Sequence, residues 1–199
     1  MPKTTGALIL AGGSSSRMGY PKPWLQFDER TSFLERIIQI YRKAGIEKIV
    51  VVINSEFCTT EWSQRMIRVT HQADVMMNND PEKGRLYSIR MGLNAIDAEN
   101  TFIHNVDNPQ FSQRLIENMI LQHGNAGVTI PVTKGKKGHP VLIGKETREL
   151  ILANAWEFET LREILQRVRP NFVETNDKGI LLNMNTQEQY EDWKHGRTP

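Results

Sequence analysis

A chain of 199 residues with 39% hydrophobic and 24% charged residues is sized and composed like one soluble folded domain. A formal net charge of only +2 excludes a polycation that coats duplex DNA, and the single cysteine, Cys58, excludes an intramolecular disulfide and favours a reducing compartment. The first apolar run is too short for a signal peptide and no window reaches membrane-spanning length, so a cytoplasmic location is expected, with neither nucleic acid nor membrane as partner.

Apolar runs alternate with segments of helical period. GALILAG (6–12) reads as a buried strand. TSFLERIIQIYRKAG (31–45) reads as an amphipathic helix, with Phe33, Ile37, Ile40 and Tyr41 on one side and Gly45 as its stop. EKIVVVIN (47–54) is β-branched and apolar on both faces, as an interior parallel strand should be. ADVMMNN (73–79) reads as a strand, RLYSIRMGLNAID (85–97) as a helix and TFIHNVD (101–107) as a strand. QFSQRLIENMILQHG (110–124) reads as a helix ending at Gly124, and AGVTIPV (126–132) and HPVLIG (139–144) as strands around the loop TKGKKG (133–138). ETRELILANA (146–155) and ETLREILQRV (159–168) are helical, NFVET (171–175) and GILLNMN (179–185) are late strands, and TQEQYEDWK (186–194) is a last helix capped by Thr186. This alternation implies an α/β fold with a largely parallel central sheet, whose ligands sit beyond the carboxyl ends of the strands.

The stretch ALILAGGSSSRMGYPKPWLQF (7–27) runs from a strand into bare backbone, hydroxyls and two cations. It is not a Walker A loop, because Lys22 lies beyond a proline and no Ser or Thr follows it. It is not the dinucleotide fingerprint, because the glycine spacing is wrong and Pro21 and Pro23 block an immediate helix. An anion still fits. Gly12 and Gly13 can take positive φ and let a ligand approach, and successive N–H groups form a concave nest. Ser14, Ser15 and Ser16 add hydroxyl donors, Arg17 a planar fork and Lys22 a compact charge. The competing reading is a solvated turn with two incidental surface cations.

LAGGSSSRMGYPK resembles the signature loop of the MobA-like nucleotidyltransferase superfamily, L-A-[AG]-G-x-S-x-R-M-G-x-x-K, and further stretches in family order extend the resemblance over nearly the whole chain. The resemblance implies a Rossmann-like, GT-A type three-layer sandwich with a mostly parallel mixed sheet, in a single domain. It implies transfer of a nucleotide from CTP or GTP to a phosphorylated small-molecule acceptor, the molybdenum cofactor first among them, with Mg2+ as cofactor. Leu10, Ala11, Gly12, Gly13 and the three serines would then cradle the nucleotide. Arg17 would hold the β- and γ-phosphates, and Lys22 would bridge the α-phosphate and the leaving group.

Five further residues follow from the same resemblance. HNVDNPQF (104–111) resembles the D-x-P metal motif, which makes Asp107 a metal ligand; its alternative role is to cap the next helix. PEKGRLYSIRMGLNAI (81–96) resembles a cytidylyltransferase segment in which Gly84 and Ser88 meet the nucleotide. The alternative there is structural: Leu86, Ile89 and Leu93 as core, with Gly92 allowing close packing. KGKKGHPVLIG (134–144) places His139 on the acceptor side, while Lys134, Lys136 and Lys137 read as a solvated hairpin. GILLNMNTQEQYEDW (179–193) matches the closing N/D-x-N/D-T-P-E-D segment, with Asn185 at the second metal position and Gln187 in place of the proline. FETLREIL (158–165) lacks the D-x-G-A-R-like stretch of the cytidylyl branch. Paired Gly12–Gly13 and Asn185 resemble the guanylyl branch, whereas residues 84–93 and the G-H-P-V stretch resemble the cytidylyl branch, so the base stays open. Two alternatives remain: a sugar-phosphate nucleotidyltransferase, and a nucleotide-binding module without catalysis. Cys58 has no evident partner, His71, His104, His123 and His195 lack metal-ligand spacing, and Trp24, Trp62, Trp156 and Trp193 read as structural.

Overall fold

The structure, a computed structural model, describes residues 3–153 and 158–197. Trp156 and the end of the helix expected over 146–155 lie outside the described residues. The first half of the chain lays down parallel strands β1 (Thr5–Ala11), β2 (Lys48–Asn54), β3 (Asp74–Asn78) and β4 (Asn100–Asn105). The second half adds β5 (Val128–Thr133), β6 (Lys136–Lys137), β7 (Val141–Ile143) and β8 (Pro170–Glu174). The sheet runs β3-β2-β1-β4-β7-β5-β6, with β8 beside β5. β7 is antiparallel to both β4 and β5, and β8 returns parallel to β5. The sheet is thus mixed, with a parallel first half, as the sequence implied.

The double-faced apolar strands follow from two cores. Ala7 and Ile9 of β1 and Val51 and Ile53 of β2 face one side; Leu8, Leu10, Val50 and Val52 face the other. The first face is covered by α1 (Phe33–Lys43), α2 (Ser63–Thr70), α4 (Gln113–His123) and α7 (Gln187–Lys194). The second is covered by α3 (Gly84–Ala95), α5 (Lys145–Ala153) and α6 (Leu161–Gln166). Gly92 lets α3 settle onto β1, since a Cβ there would lie 2.1 Å from Leu8 Cδ1. No helix among the described residues is long and apolar enough to cross a membrane.

The Gly45 stop and the Thr186 cap read from the sequence are present, together with a Ser32 cap that was not read there. Ser32 and Glu35 form a capping box on α1, and Gly45 follows it at φ +80. Thr186 and Gln189 form a second box on α7. α2 escaped the reading because Trp62 precedes it without a side-chain cap and only Val69 is buried. Trp24 is buried, its indole N–H donates to the Phe57 carbonyl at 3.0 Å, and Trp62 stacks beside it. Trp193 joins the Phe27 and Phe33 rings, so these three tryptophans are structural. Lys134, Lys136 and Lys137 sit exposed around the β5–β6 hairpin, also as expected.

GILLNMN is not a strand. Lys178–Leu181 form a 3-10 turn, and the backbone beyond it finds partners outside any ladder. Asn108 Nδ2 donates to the carbonyls of Gly179 (3.1 Å) and Leu182 (2.6 Å). The Met184 N–H donates to the Asp107 carbonyl at 2.8 Å, and the His139 N–H to the Ile180 carbonyl at 3.0 Å. The polar groups that a sheet would have paired are satisfied here by the 107–108 turn, and that suffices. The contact needs Gly179, because a Cβ there would sit 1.8 Å from the Gln110 carbonyl oxygen.

His104 holds the same turn from below. Its Nε2 lies 2.8 Å from the Asn108 carbonyl, which can only accept, so Nε2 carries the proton. Nδ1 then accepts from the Tyr41 hydroxyl at 2.8 Å. Burial pushes the imidazole pKa down to about 3, the Asn108 carbonyl opposing and His139 adding slightly.

Gly179→Ala should cost about 3 kcal/mol in urea unfolding, since the Cβ meets backbone that cannot rotate away. Stability should also depend on pH through His104. The unfolded imidazole protonates near 6.5 and the folded one only near 3, so the unfolded chain binds more protons between these values. This contribution is complete above pH 6.5 and declines as the pH falls, by up to about 1.4 kcal/mol per pH unit. His104→Gln should flatten that slope in urea titrations between pH 6.5 and 4.

Candidate active site

A cavity of about 280 Å3 opens at the carboxyl ends of β1 and β4. Its walls come from the 10–15 loop, Lys22, the start of α3 and the turn after β4. Leu10, Ala11, Gly12, Gly13, Ser15, Lys22, Gly84, Ser88 and Asp107, all singled out in the sequence, line it together. Ser14, Ser16 and Arg17 are not among its lining residues; they are exposed on the outer side of the loop.

The loop reaches its shape by a different route from the one expected. Neither Gly12 nor Gly13 takes positive φ; Ser15 (φ 53) and Gly19 (φ 66) do. Gly12 is needed for space, because a Cβ there would lie 2.9 Å from Ser88 Oγ and 3.2 Å from Asn78 Nδ2. Ser88 is buried and accepts from Asn78 Nδ2 at 3.1 Å, leaving its own proton to donate. Ser88 thus packs against Asn78 and also lines the cavity. Ser15 works as a brace: its hydroxyl accepts the Lys22 N–H at 3.2 Å and its carbonyl accepts the Met18 N–H at 2.9 Å. Met18, buried, anchors the loop from inside.

Pro21 caps a 3-10 turn over Lys22–Trp24 that contains Pro23, and the buried Trp24 fixes it. From there Lys22 Nζ reaches Asn185 Oδ1 at 2.9 Å and Asp107 Oδ2 at 3.5 Å. Both charged side chains are mostly buried, at 15% and 19% exposed. The ion pair is longer than the 2.7–2.9 Å of a tight charged hydrogen bond, so the lysine is not locked to its partner. Asp107 lies two residues beyond β4, not at its last position. It does not cap α4 either; Ser112 does, its hydroxyl accepting from the Leu115 N–H.

Asp107 Oδ1 is buried without a hydrogen-bond partner, which suits a cation ligand. Among the described residues no three His, Cys, Asp or Glu side chains converge on a metal position. A metal held here would take one carboxylate from the protein and the rest of its oxygens elsewhere, the usual pattern for Mg2+ on a nucleotide.

Two residues flank this centre. Arg85, which the sequence reading missed, lines the cavity one residue after Gly84, whose φ is +82. Its spacing from Ser88, three along the same helix, was the available signal. Desolvation lowers the Arg85 pKa and the Asp107 charge opposes that. His139 lies beyond Arg85 in a second cavity of about 620 Å3, its Nδ1 buried and without a partner. Burial and the Arg85 charge both hold His139 below the usual imidazole range, with Asp107 opposing. The remaining histidines stay apart from this centre: His104 is a strut and His123 bonds Thr129. The Cys58 thiol is pushed up by burial, which keeps it protonated and unreactive.

Solved nucleotidyltransferases share this architecture. The chain superposes on a nucleotidyl transferase from Methanothermobacter with a TM-score of 0.76 at 18% identity, covering 98% and 97% of the two chains. A 4-diphosphocytidyl-2C-methyl-D-erythritol synthase from Anaerococcus prevotii gives 0.71 at 16% identity, covering 96% and 94%. Residues 7–172 match the MobA-like NTP transferase domain, and the chain belongs to that family of nucleotidyltransferases. It is 28% identical over 198 residues to a Bacillus mycoides protein named "Probable molybdenum cofactor guanylyltransferase", covering 96% of this chain and 95% of that one. A Bacillus cytotoxicus protein of the same name is 27% identical over 200 residues, covering 94% and 95%.

Gly12→Ala should displace Ser88 from Asn78 and lower nucleoside triphosphate affinity at least tenfold in calorimetric titration. Adding Ser88→Ala, which removes the nearest clashing atom, should restore part of it.

Proposed function

We propose that the protein transfers GMP from GTP to a phosphorylated acceptor of the molybdenum cofactor type, releasing pyrophosphate, with Mg2+ as the metal. The observation that carries this reading is the meeting of Lys22, Asp107 and Asn185 beside the cavity of about 280 Å3 that Lys22 and Asp107 line. GTP is favoured by the paired Gly12–Gly13, by Asn185 and by the names of the relatives. CTP is the second reading, because residues 84–93 and the G-H-P-V stretch resemble the cytidylyl branch.

Nucleotidyl transfer requires positioning and charge stabilisation and no protein nucleophile. The cavity fits that requirement. The 12–15 backbone would receive the phosphates, with Arg17 reaching over them from the loop's outer side. Lys22 would leave Asp107 and Asn185 for the α-phosphate and the departing oxygen, an exchange its loose pairing permits. Asp107 would hold Mg2+ through its unpartnered oxygen, with Asn185 contributing an uncharged amide. When bound, the ion supplies charge neutralisation at the transferred phosphorus. Because the protein brings one carboxylate, metal affinity should depend on the triphosphate.

The reading is checked by pyrophosphate release from GTP, CTP, UTP and ATP, each with Mg2+, molybdopterin-type acceptor and sugar phosphates. Release with GTP and the molybdopterin-type acceptor alone is the expected result, abolished by EDTA. Lys22→Ala should lower kcat roughly 100- to 1000-fold while changing triphosphate affinity far less. Unchanged turnover in that variant would remove the role given to Lys22. Tight triphosphate binding without release from any pair would favour a binding module.

A further inference from the structure

β8 is the last strand of the sheet on its side, and no described residue pairs with its outer edge. The Thr175 N–H donates to the Val132 carbonyl at 2.9 Å, so the odd-numbered residues of this stretch turn their backbone groups toward β5. Alternation aims the N–H and C=O of Phe172 and Glu174 outward, with the Pro170 carbonyl beside them. An open row of donors and acceptors is a template for another strand. The Phe172 side chain lies on the same face as Ile130 and is 42% exposed. Lys137 Nζ stands 4.8 Å from the centre of that ring and has no carboxylate partner among the described residues. Glu174, exposed on the same face, has no cation partner among them, and β5 stands between it and Lys137. The opposite edge strand, β3, differs, since its exposed Asp74 is already paired to Lys48 at 2.7 Å.

We propose that β8 pairs antiparallel with β8 of a second copy of this chain, about a two-fold axis at Val173, so that one sheet runs through both copies. In this register Phe172 lies opposite the partner's Glu174, and each such pair exchanges two N–H···O bonds. An axis at Phe172 would instead set Glu174 opposite the partner's Pro170, which has no N–H to return. The axis at Val173 also brings the partner's Glu174 beside the Phe172 ring, where the Lys137 ammonium stands unpaired. Charge then selects the occupant. An exposed glutamate on an edge deters indiscriminate strand pairing, and here it fits a strand that arrives with its own lysine. The contact covers Phe172 twice over. A strand of five residues a side is a small interface, below the roughly 1,200 Å2 of stable complexes, so the dimer is weak and reversible. β8 is the third strand beyond β4, and pairing there leaves the nucleotide cavity open.

The test is sedimentation equilibrium of the full chain from about 5 to 500 μM, where a monomer–dimer equilibrium with Kd on the order of 10–100 μM is expected. Glu174→Lys and Lys137→Glu, both at exposed positions, should each weaken the dimer roughly tenfold by setting like charges together. The double variant carrying both changes should recover to within about threefold of wild type, because the pair is restored with its signs exchanged. Amide hydrogen exchange locates the contact. The Phe172 and Glu174 amides should gain protection at the high concentration, while those of Val173 and Thr175, which face β5, should be protected alike at both. A chain that stays monomeric throughout overturns the proposal. So does a dimer indifferent to the single reversals, a folded double variant that does not recover, or concentration-dependent protection that bypasses residues 172 and 174.

Discussion

One ammonium group ties together three segments that lie far apart in the chain. Lys22 Nζ meets Asp107 from the turn after β4 and Asn185 from the approach to the last helix. Each partner arrives there through its own support. Trp24 pins the turn that carries Lys22. His104 and Asn108 set the turn that carries Asp107. Gly179 lets the closing segment pass close enough to the Gln110 backbone to deliver Asn185. A partly buried pair at 3.5 Å adds little net stability, because desolvation offsets most of its attraction. Its place in the architecture is better explained by readiness to exchange partners than by holding the fold.

The fold beneath supplies the rigidity that such a centre requires. Parallel strands with both faces buried aim their carboxyl ends at one region, and the loops leaving them build the cavity. Close approach is secured twice on the same helix. Gly92 lets α3 lie against Leu8 of β1, and Gly12 lets the loop after β1 lie against Ser88 of α3. The loop, the helix and the sheet are therefore one packed unit, and the cavity wall inherits the order of the core.

Charge is distributed sparingly around the centre. The protein contributes one carboxylate, Asp107, and the amide of Asn185. Against this stand Lys22 and Arg85, while His139 is held neutral by burial. An unliganded site with more cation than anion attracts polyanions, and low local dielectric strengthens that attraction.

Much of this was determined by local sequence. The succession of β1 to β4, the stop at Gly45, the cap at Thr186 and the run of small and cationic residues from Leu10 to Lys22 are short-range matters of hydrophobic period, cap chemistry and spacing, and these were legible. The 63–70 helix was not, because it has no cap and buries one residue. The closing segment looked like a strand because its side chains are apolar. Only the packed structure decides whether backbone pairs with a ladder or, as here, with the Asn108 amide and the carbonyl of Asp107. The reason Gly12 must be glycine was hidden for a similar cause: the constraint is a side chain from residue 88, not a dihedral angle. Arg85 was equally invisible, since an arginine on a helix is usually a solvated charge. Its position at the junction of two cavities is a property of how α3 meets the sheet, and tertiary packing alone sets that.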